Sequence, residues 1–366
     1  MGMGYQGFVK MYGTGPASDP IVILTTGASV NIVLEPIYSN AVWGAGWYNA
    51  ADTAHYADNA VRYEGSIDFE LQGSNTVWDL MADWIVNERA YPRSIDISPD
   101  GGRVYQYRTT GVYDVNYDLN GMWNTSASFS TSADSFVTVS AGAIALNRAE
   151  ADPLGGTNFS DFSYINQKTG VVAGDCSVLA LTNPLNPSGG NVDPIPYWRT
   201  NAQLYRDAVY PGPFVAGTLP QTGLETVEWS ADVTHNHVVL YTANGNRLPT
   251  ALLQGPMSVS GSVVLYNADT VFDPIFGPAA NGTLTNPYMV AENTFFLVEI
   301  QRNVGFPLYI EIPAVVIESD DYGISGQDAV TNRTFSLKGM GGRCNGTVTM
   351  PPFIMSNAVT GGFTAP

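Results

Sequence analysis

The sequence predicts a mainly β protein of the α+β kind, built from two tandem copies of one strand-rich domain, each with a flanking helix. Three observations carry that expectation. In Gly65-Ser66-Ile67-Asp68-Phe69-Glu70-Leu71 apolar and polar residues alternate, the period of a strand with one buried face. Directly afterwards Val77, Leu80, Met81, Trp84 and Ile85 fall at helical spacing, with Ser74 and Asn75 as candidate N-caps. The same unit then recurs in the second half. Gly261-Ser262-Val263-Val264-Leu265-Tyr266 repeats the strand, and Thr270-Val271-Phe272-Asp273 repeats Thr76-Val77-Trp78-Asp79. A second match follows in the same order, Tyr91-Pro92-Arg93-Ser94-Ile95-Asp96-Ile97 against Phe306-Pro307-Leu308-Tyr309-Ile310-Glu311-Ile312. Two ordered matches, each preceded by a strand-rich segment (Ile21 to Leu34 and Val227 to Tyr241), favour an internal duplication.

Composition narrows the function classes. A length of 366 residues suits two domains, or three small ones. Hydrophobic residues make up 45% and mean hydropathy is -0.01, as in a folded soluble protein. Charged residues reach only 13%, and with 20 Tyr, 7 Trp and 15 Phe this points to a surface covered by subunit contacts. Asp and Glu outnumber Lys and Arg by 33 to 15, for a net charge of -18. That balance argues against direct gripping of nucleic acid phosphates. It fits an acidic channel wall past which DNA slides without sticking, and equally fits ordinary acidic solubility. Two cysteines, Cys176 and Cys344, make neither a disulfide framework nor a metal cluster. No secretory signal is expected from Met1-Gly2-Met3-Gly4-Tyr5-Gln6-Gly7, and no apolar run is long enough to span a membrane.

Taken in order, the first half opens with strands at Phe8 to Tyr12, Ile21 to Leu24 and Val30 to Leu34. Trp43 to Ala57 is small and aromatic without a regular period, and reads as a loop or arm whose Trp43, Trp47, Tyr48, His55 and Tyr56 are candidate subunit contacts. A loop folded back on its own domain is the equal alternative. After the strand and helix come Ile95 to Ile97, a Pro99-Asp100-Gly101 turn and Arg103 to Arg108, a hairpin signal in which Pro sets one backbone angle and Gly frees the next. Gly111 to Leu119, Asn124 to Ser130 and Phe136 to Val139 read as three more strands.

From Asn147 to about Leu224 the period breaks down at Pro153-Leu154-Gly155-Gly156, Asn183 to Gly190 and Pro211-Gly212-Pro213, marking connection more than core. The chain accordingly divides into residues 1–150, a linker or insertion over 151–195, and 196–366. The second half offers strands at Glu228 to Val233, His237 to Tyr241, Met257 to Tyr266, Phe295 to Ile300, Leu308 to Ile317 and Arg333 to Leu337, with a turn at Ala243-Asn244-Gly245-Asn246.

Catalytic chemistry has no positive signal. His235-Asn236-His237 sets two imidazoles on one strand face, but no third metal ligand is evident. Glu318, Asp320-Asp321 and Asp328 lack the oxygen spacing of a calcium loop and read as a solvated turn. Gly101-Gly102 and Gly339-Met340-Gly341-Gly342 lack the lysine or helix start of a phosphate cradle. No Gly-x-Ser-x-Gly elbow or activated cysteine is present. No cofactor, metal or catalytic residue is expected.

Together the duplicated strand-and-helix unit, the irregular segment ahead of its strand, the acidity and the missing chemistry resemble the tail tube proteins (major tail proteins) of long-tailed bacteriophages. The likeness is to the subgroup with a duplicated tube domain, and extends from about Gly4 to Pro352. The resemblance implies that each domain is a β-sandwich or half-barrel with a flanking helix, and that inner strands of neighbouring domains join around a channel. It implies a homotrimer of pseudo-sixfold symmetry whose rings stack into the conduit for DNA ejection in the virion tail, with DNA passing unbound and other tail proteins as partners. Trp43 to Ala57 would be the inter-ring arm, Ala243 to Gly255 its shorter counterpart, and Trp78 and Phe272 the matched anchors packing each helix on its sheet. The long linker and the extra segment Phe276 to Tyr288 depart from that pattern. A baseplate hub or tube-capping ring component remains compatible, and the rivals from other classes are a receptor- or carbohydrate-binding virion protein and a glycan-active enzyme.

Overall fold

The computed structural model describes residues 8–11, 21–23, 25–38, 56–73, 75–86, 95–98, 117–150, 194–206, 210–212, 224–243, 247–253, 255–266, 294–302, 307–323, 332–341, 344–345, 348–349, 351–357 and 361–364. In chain order come β1 (Phe8–Met11), β2 (Ile21–Ile23), β3 (Thr25–Tyr38), β4 (Tyr56–Glu70), helix α1 (Asn75–Ile85), β5 (Ile95–Ser98), β6 (Tyr117–Thr131) and β7 (Thr138–Glu150). Next are β8 (Thr200–Arg206), β9 (Leu224–Glu225), β10 (Glu228–His235), β11 (Val238–Leu240), β12 (Ala251–Leu253) and β13 (Met257–Tyr266). Last are β14 (Thr294–Ile300), β15 (Leu308–Ile312), β16 (Val315–Gly323), β17 (Asn332–Gly339), β18 (Cys344–Asn345), β19 (Val348–Thr349), β20 (Ile354–Asn357) and β21 (Gly361–Thr364).

The chain is mainly β and its sheets are antiparallel and open. Eleven strands form the larger sheet, through which runs the path β3-β4-β7-β6-β10-β13-β17-β16. The other end of β6 pairs with β5, which continues to β1 and β2. Six strands form the second sheet in the order β21-β20-β15-β14-β8-β9. β11 and β12 make a separate hairpin.

One buried cluster lies beneath the larger sheet and runs through both halves of the chain. It takes Ile67 and Phe69 from β4, Phe129 from β6, Val233 from β10 and Phe335 from β17, and covers them with α1 and the second sheet. The helix contributes Val77, Trp78, Met81, Trp84 and Ile85, all at most 1% exposed. Trp78 packs against Phe129 with ring centroids 6.3 Å apart, Phe129 stacks on Phe353 at 6.4 Å, and Trp84 Nε1 donates to the Met122 carbonyl at 3.3 Å. A smaller cluster of Tyr205, Tyr210, Phe295 and Tyr309 covers the outer face of the second sheet. Within it the buried Glu311 carboxylate accepts from the Tyr210 hydroxyl and from Ser356 Oγ at 2.8 Å. Burial first, then the Glu311 charge and hydrogen bond, push the Tyr210 phenol well above its usual range.

Several sequence expectations are corrected. Asp320 and Asp321 lie in β16 and not in a turn, because an edge strand tolerates charge that a central strand would have to bury. Leu308 to Ile317 is interrupted at Pro313-Ala314, where proline has no N–H to give to a ladder. Strands expected separately up to Leu119 and from Asn124 are one long strand, β6, because β7 pairs along both and absorbs the irregularity as a bulge. Tyr56 and Ala57 belong to β4, since its ladder with β3 extends to Tyr38 opposite Tyr56. The counterpart of α1 at Phe272 falls outside the described residues.

Candidate assembly surface

Period-two alternation gives the larger sheet a polar outer face. Along β4, Ile67 and Phe69 are buried, as is Leu71 just after it, while Ser66, Asp68 and Glu70 point the other way, and β10 alternates likewise. Ser29, Ser66, Gly142 and Ser126 stand side by side across β3, β4, β7 and β6. Ser230, Ser262, Ser336 and Ser319 do the same across β10, β13, β17 and β16. Their hydroxyls bond laterally: Ser29 to Ser66 at 2.7 Å, Ser230 to Ser262 at 3.0 Å, Ser319 to Ser336 at 2.8 Å. Asp68 accepts from Ser140 at 2.5 Å, Arg62 pairs with Glu64 at 2.8 Å, and Lys338 with Glu318 at 3.3 Å. A shallow depression near one end is lined by Ser29, Asn31, Glu64, Ser66, Thr125 and Ile144. It offers hydroxyls, an amide and a carboxylate.

At the middle of the path β6 meets β10, with Ser130 opposite Ser230, Ser128 opposite Asp232 and Ser126 opposite Thr234. Ser128 Oγ donates to Asp232 at 2.5 Å across this junction. Both ends of the path are edges among the described residues: β3 pairs only β4, and β16 only β17.

The two edges differ from the junction in cover. Ile32 and Leu34 of β3 are 43% and 58% exposed. Counting from the serine that bonds across to Ser66 or Ser262, their counterparts in β10 are Val233 and His235, 1% and 3% exposed. On β16, Glu318, Ser319 and Asp321 are exposed. No family model and no curated protein matches the chain.

Bulges fall at corresponding points. In β6 the register shifts between Asn124 and Ser126, and in β16 between Ile317 and Ser319, each just before the serine that faces Gly142 or Ser336. Asn124 Nδ2 ties the first bulge to the Ser126 and Gly142 carbonyls at 2.9 and 3.1 Å. An added Cβ at Gly142 would stand 2.7 Å from Ser126 Oγ and 2.9 Å from Thr125 Oγ1, so both hydroxyls would have to turn away.

His235 and His237 stack with ring centroids 5.5 Å apart. Their Nε2 atoms bond the Ile85 and Asn124 carbonyls, each at 2.8 Å, so they fasten the end of β10 to the helix terminus and to the β6 bulge. Burial lowers the His235 imidazole to about 4, the His237 charge adds to this, and the Ile85 carbonyl opposes it. Among the described residues no three His, Cys, Asp or Glu side chains group as metal ligands.

Of the contact residues expected from sequence, Trp43, Trp47, Tyr48 and His55 lie outside the described residues, as does Phe272. Tyr56 opens β4 opposite Tyr38, and Trp78 is buried. Sequence reasoning passed over Asn31, Ser128 and Asp232, and read Asp321 as part of a solvated turn. The signal available is the Gly-Ser pair at Gly65-Ser66 and Gly261-Ser262, whose serines sit in β4 and β13 opposite Ser29 and Ser230.

Proposed function

We propose that this chain is a structural virion protein whose copies join head to tail into stacked rings, forming a phage tail tube that conducts DNA into the host. One observation carries the reading. The orders β3-β4-β7-β6 and β10-β13-β17-β16 are the same pairing scheme used twice, joined through β6 and β10, so among the described residues the path ends in two unlike edges, β3 and β16. β2-β1-β5-β6 and β9-β8-β14-β15 repeat in the same way. On this reading the repeated unit is a two-sheet domain in which β15 and β16 together play the part of β6. The Gly65 and Gly261 match agrees with this scheme, whereas the Ile95 and Ile310 match does not: β5 corresponds to β14 and not to β15.

Unlike edges favour a heterologous contact, and such contacts close into rings or run on as filaments. Three copies of the duplicated unit give pseudo-sixfold closure. The serine-rich face then lines the lumen, where short hydroxyls bound to one another and scattered carboxylates predominate and the cations Arg62 and Lys338 are paired with Glu64 and Glu318, so DNA phosphates find little to grip. The β11–β12 hairpin, with Val238, Leu240 and Leu253 exposed, is suited to reach a neighbouring ring or another tail protein. Negative-stain electron microscopy with light scattering tests the proposal. Rings or hollow tubes of trimeric units are expected, and a monomer persisting at high concentration overturns it.

A further inference from the structure

We infer that the ring junction copies the internal one in register: β16 of one copy lies antiparallel to β3 of the next, with Asn31 opposite Asp321, Ser29 opposite Gly323 and Val33 opposite Ser319. This rests on the ring reading above and adds to it the residues that meet.

The register follows from three correspondences. Ser29 bonds Ser66 in β4 as Ser230 bonds Ser262 in β13, so β3 matches β10 with Ser29 on Ser230. Ser126 faces Gly142 just after the β6 bulge as Ser319 faces Ser336 just after the β16 bulge, so β6 matches β16 with Ser126 on Ser319. Gly142 and Ser336 in turn face the matched Ser66 and Ser262, which closes the comparison. Carrying Thr234 opposite Ser126, Asp232 opposite Ser128 and Ser230 opposite Ser130 onto the edges gives the stated pairs.

The chemistry at the centre of the junction is kept with its roles exchanged. Inside the chain a hydroxyl on β6 donates to a carboxylate on β10. At the ring junction the carboxylate is Asp321 on the β16 side, and the donor is the Asn31 amide on the β3 side. Both residues are exposed in the single chain. The same step brings β16 alongside Ile32 and Leu34, whose counterparts Val233 and His235 are buried within the chain. Self-pairing of two β16 edges would instead set Glu318 and Asp321 against each other's carboxylates, so the edges select one another. Register also sets Asp320 opposite Ile32, where β6 and β10 set Ala127 opposite Val233, which makes the ring junction the weaker of the two.

Oxidative cross-linking tests the register. Asn31→Cys with Asp321→Cys, in a Cys176→Ser, Cys344→Ser background, is expected to give covalent closed oligomers on a non-reducing gel, since opposed strand residues have Cα atoms within disulfide reach. Val33→Cys with Asp321→Cys, two residues out of register, is expected to give none. As a second measure, Asn31→Asp should raise the concentration for assembly roughly tenfold, and adding Asp321→Asn should restore it. Rings that form without the 31–321 cross-link, or a disulfide closed within one chain, overturn the register while leaving the tube reading standing. A chain that stays monomeric throughout overturns both.

Discussion

Ser128 donates a 2.5 Å hydrogen bond to Asp232 across the strand pair that joins the two halves of the larger sheet, and the same carboxylate takes a second bond from Ser230 at 3.1 Å. The halves are therefore stitched on the polar face as well as through the core beneath. Ser128→Ala should lower unfolding free energy by about 1.5 kcal/mol, the low end for a bond to a charged acceptor because this one is only part-buried. Urea denaturation of Ser128→Ala, Asp232→Ala and the double variant should show non-additivity of about that size, and strict additivity would show the bond to be worth nothing.

Gly261 and Gly142 should respond differently to alanine. A Cβ on Gly261 would stand 2.5 Å from the Ser230 carbonyl oxygen, a backbone atom that moves only if β10 and β13 separate. At Gly142 the nearest atoms are the Ser126 and Thr125 hydroxyls, which can rotate away. Gly261→Ala should then cost about 2 kcal/mol, and Gly142→Ala clearly less. Equal losses in thermal melts would refute the distinction.

Much of the fold was legible because alternation and helical spacing are written locally. Ile67, Phe69 and Leu71 announced β4, and Val77, Met81, Trp84 and Ile85 announced α1, and each is buried. What escaped was non-local. The doublet Asp320-Asp321 looks like a turn because charge in a strand is informative only once the strand is known to lie at an edge. The β6 bulge needs its partner β7 to be seen at all, and the pairing of Ser128 with Asp232 spans 104 residues. The candidate site follows the same rule: the segment Trp43 to Tyr48 stands out by composition, whereas Asn31 and Asp321 enter the proposed junction only through their place in the sheet.

His235 gives the fold a pH dependence of known sign. Its folded value near 4 lies below the ordinary 6.5, so the unfolded chain takes up a proton first as pH falls. The stability it contributes is intact above pH 6.5, declines between pH 6.5 and 4, and changes no further below that. The full decline is of order 3 kcal/mol by the usual conversion of pKa shift to free energy. Chemical denaturation at a series of pH values should show a stability difference between the native chain and His235→Gln that shrinks across that window. A difference independent of pH would mean that His235 is not held neutral.

The matched pair Ile32 and Val233 separates folding from assembly in a single experiment. Val233 is buried in the chain itself, so Val233→Thr places a hydroxyl in the core and should lower monomer stability by about 1–3 kcal/mol. Ile32 is exposed in the chain, and Ile32→Thr keeps a β-branched residue in β3, so the urea midpoint of the dilute protein should stay within error. If head-to-tail pairing covers Ile32, that variant loses about 1 kcal/mol at each junction and needs roughly fivefold more protein to assemble, as read by light scattering. Unchanged assembly by Ile32→Thr would place the subunit contact elsewhere than the β3 edge.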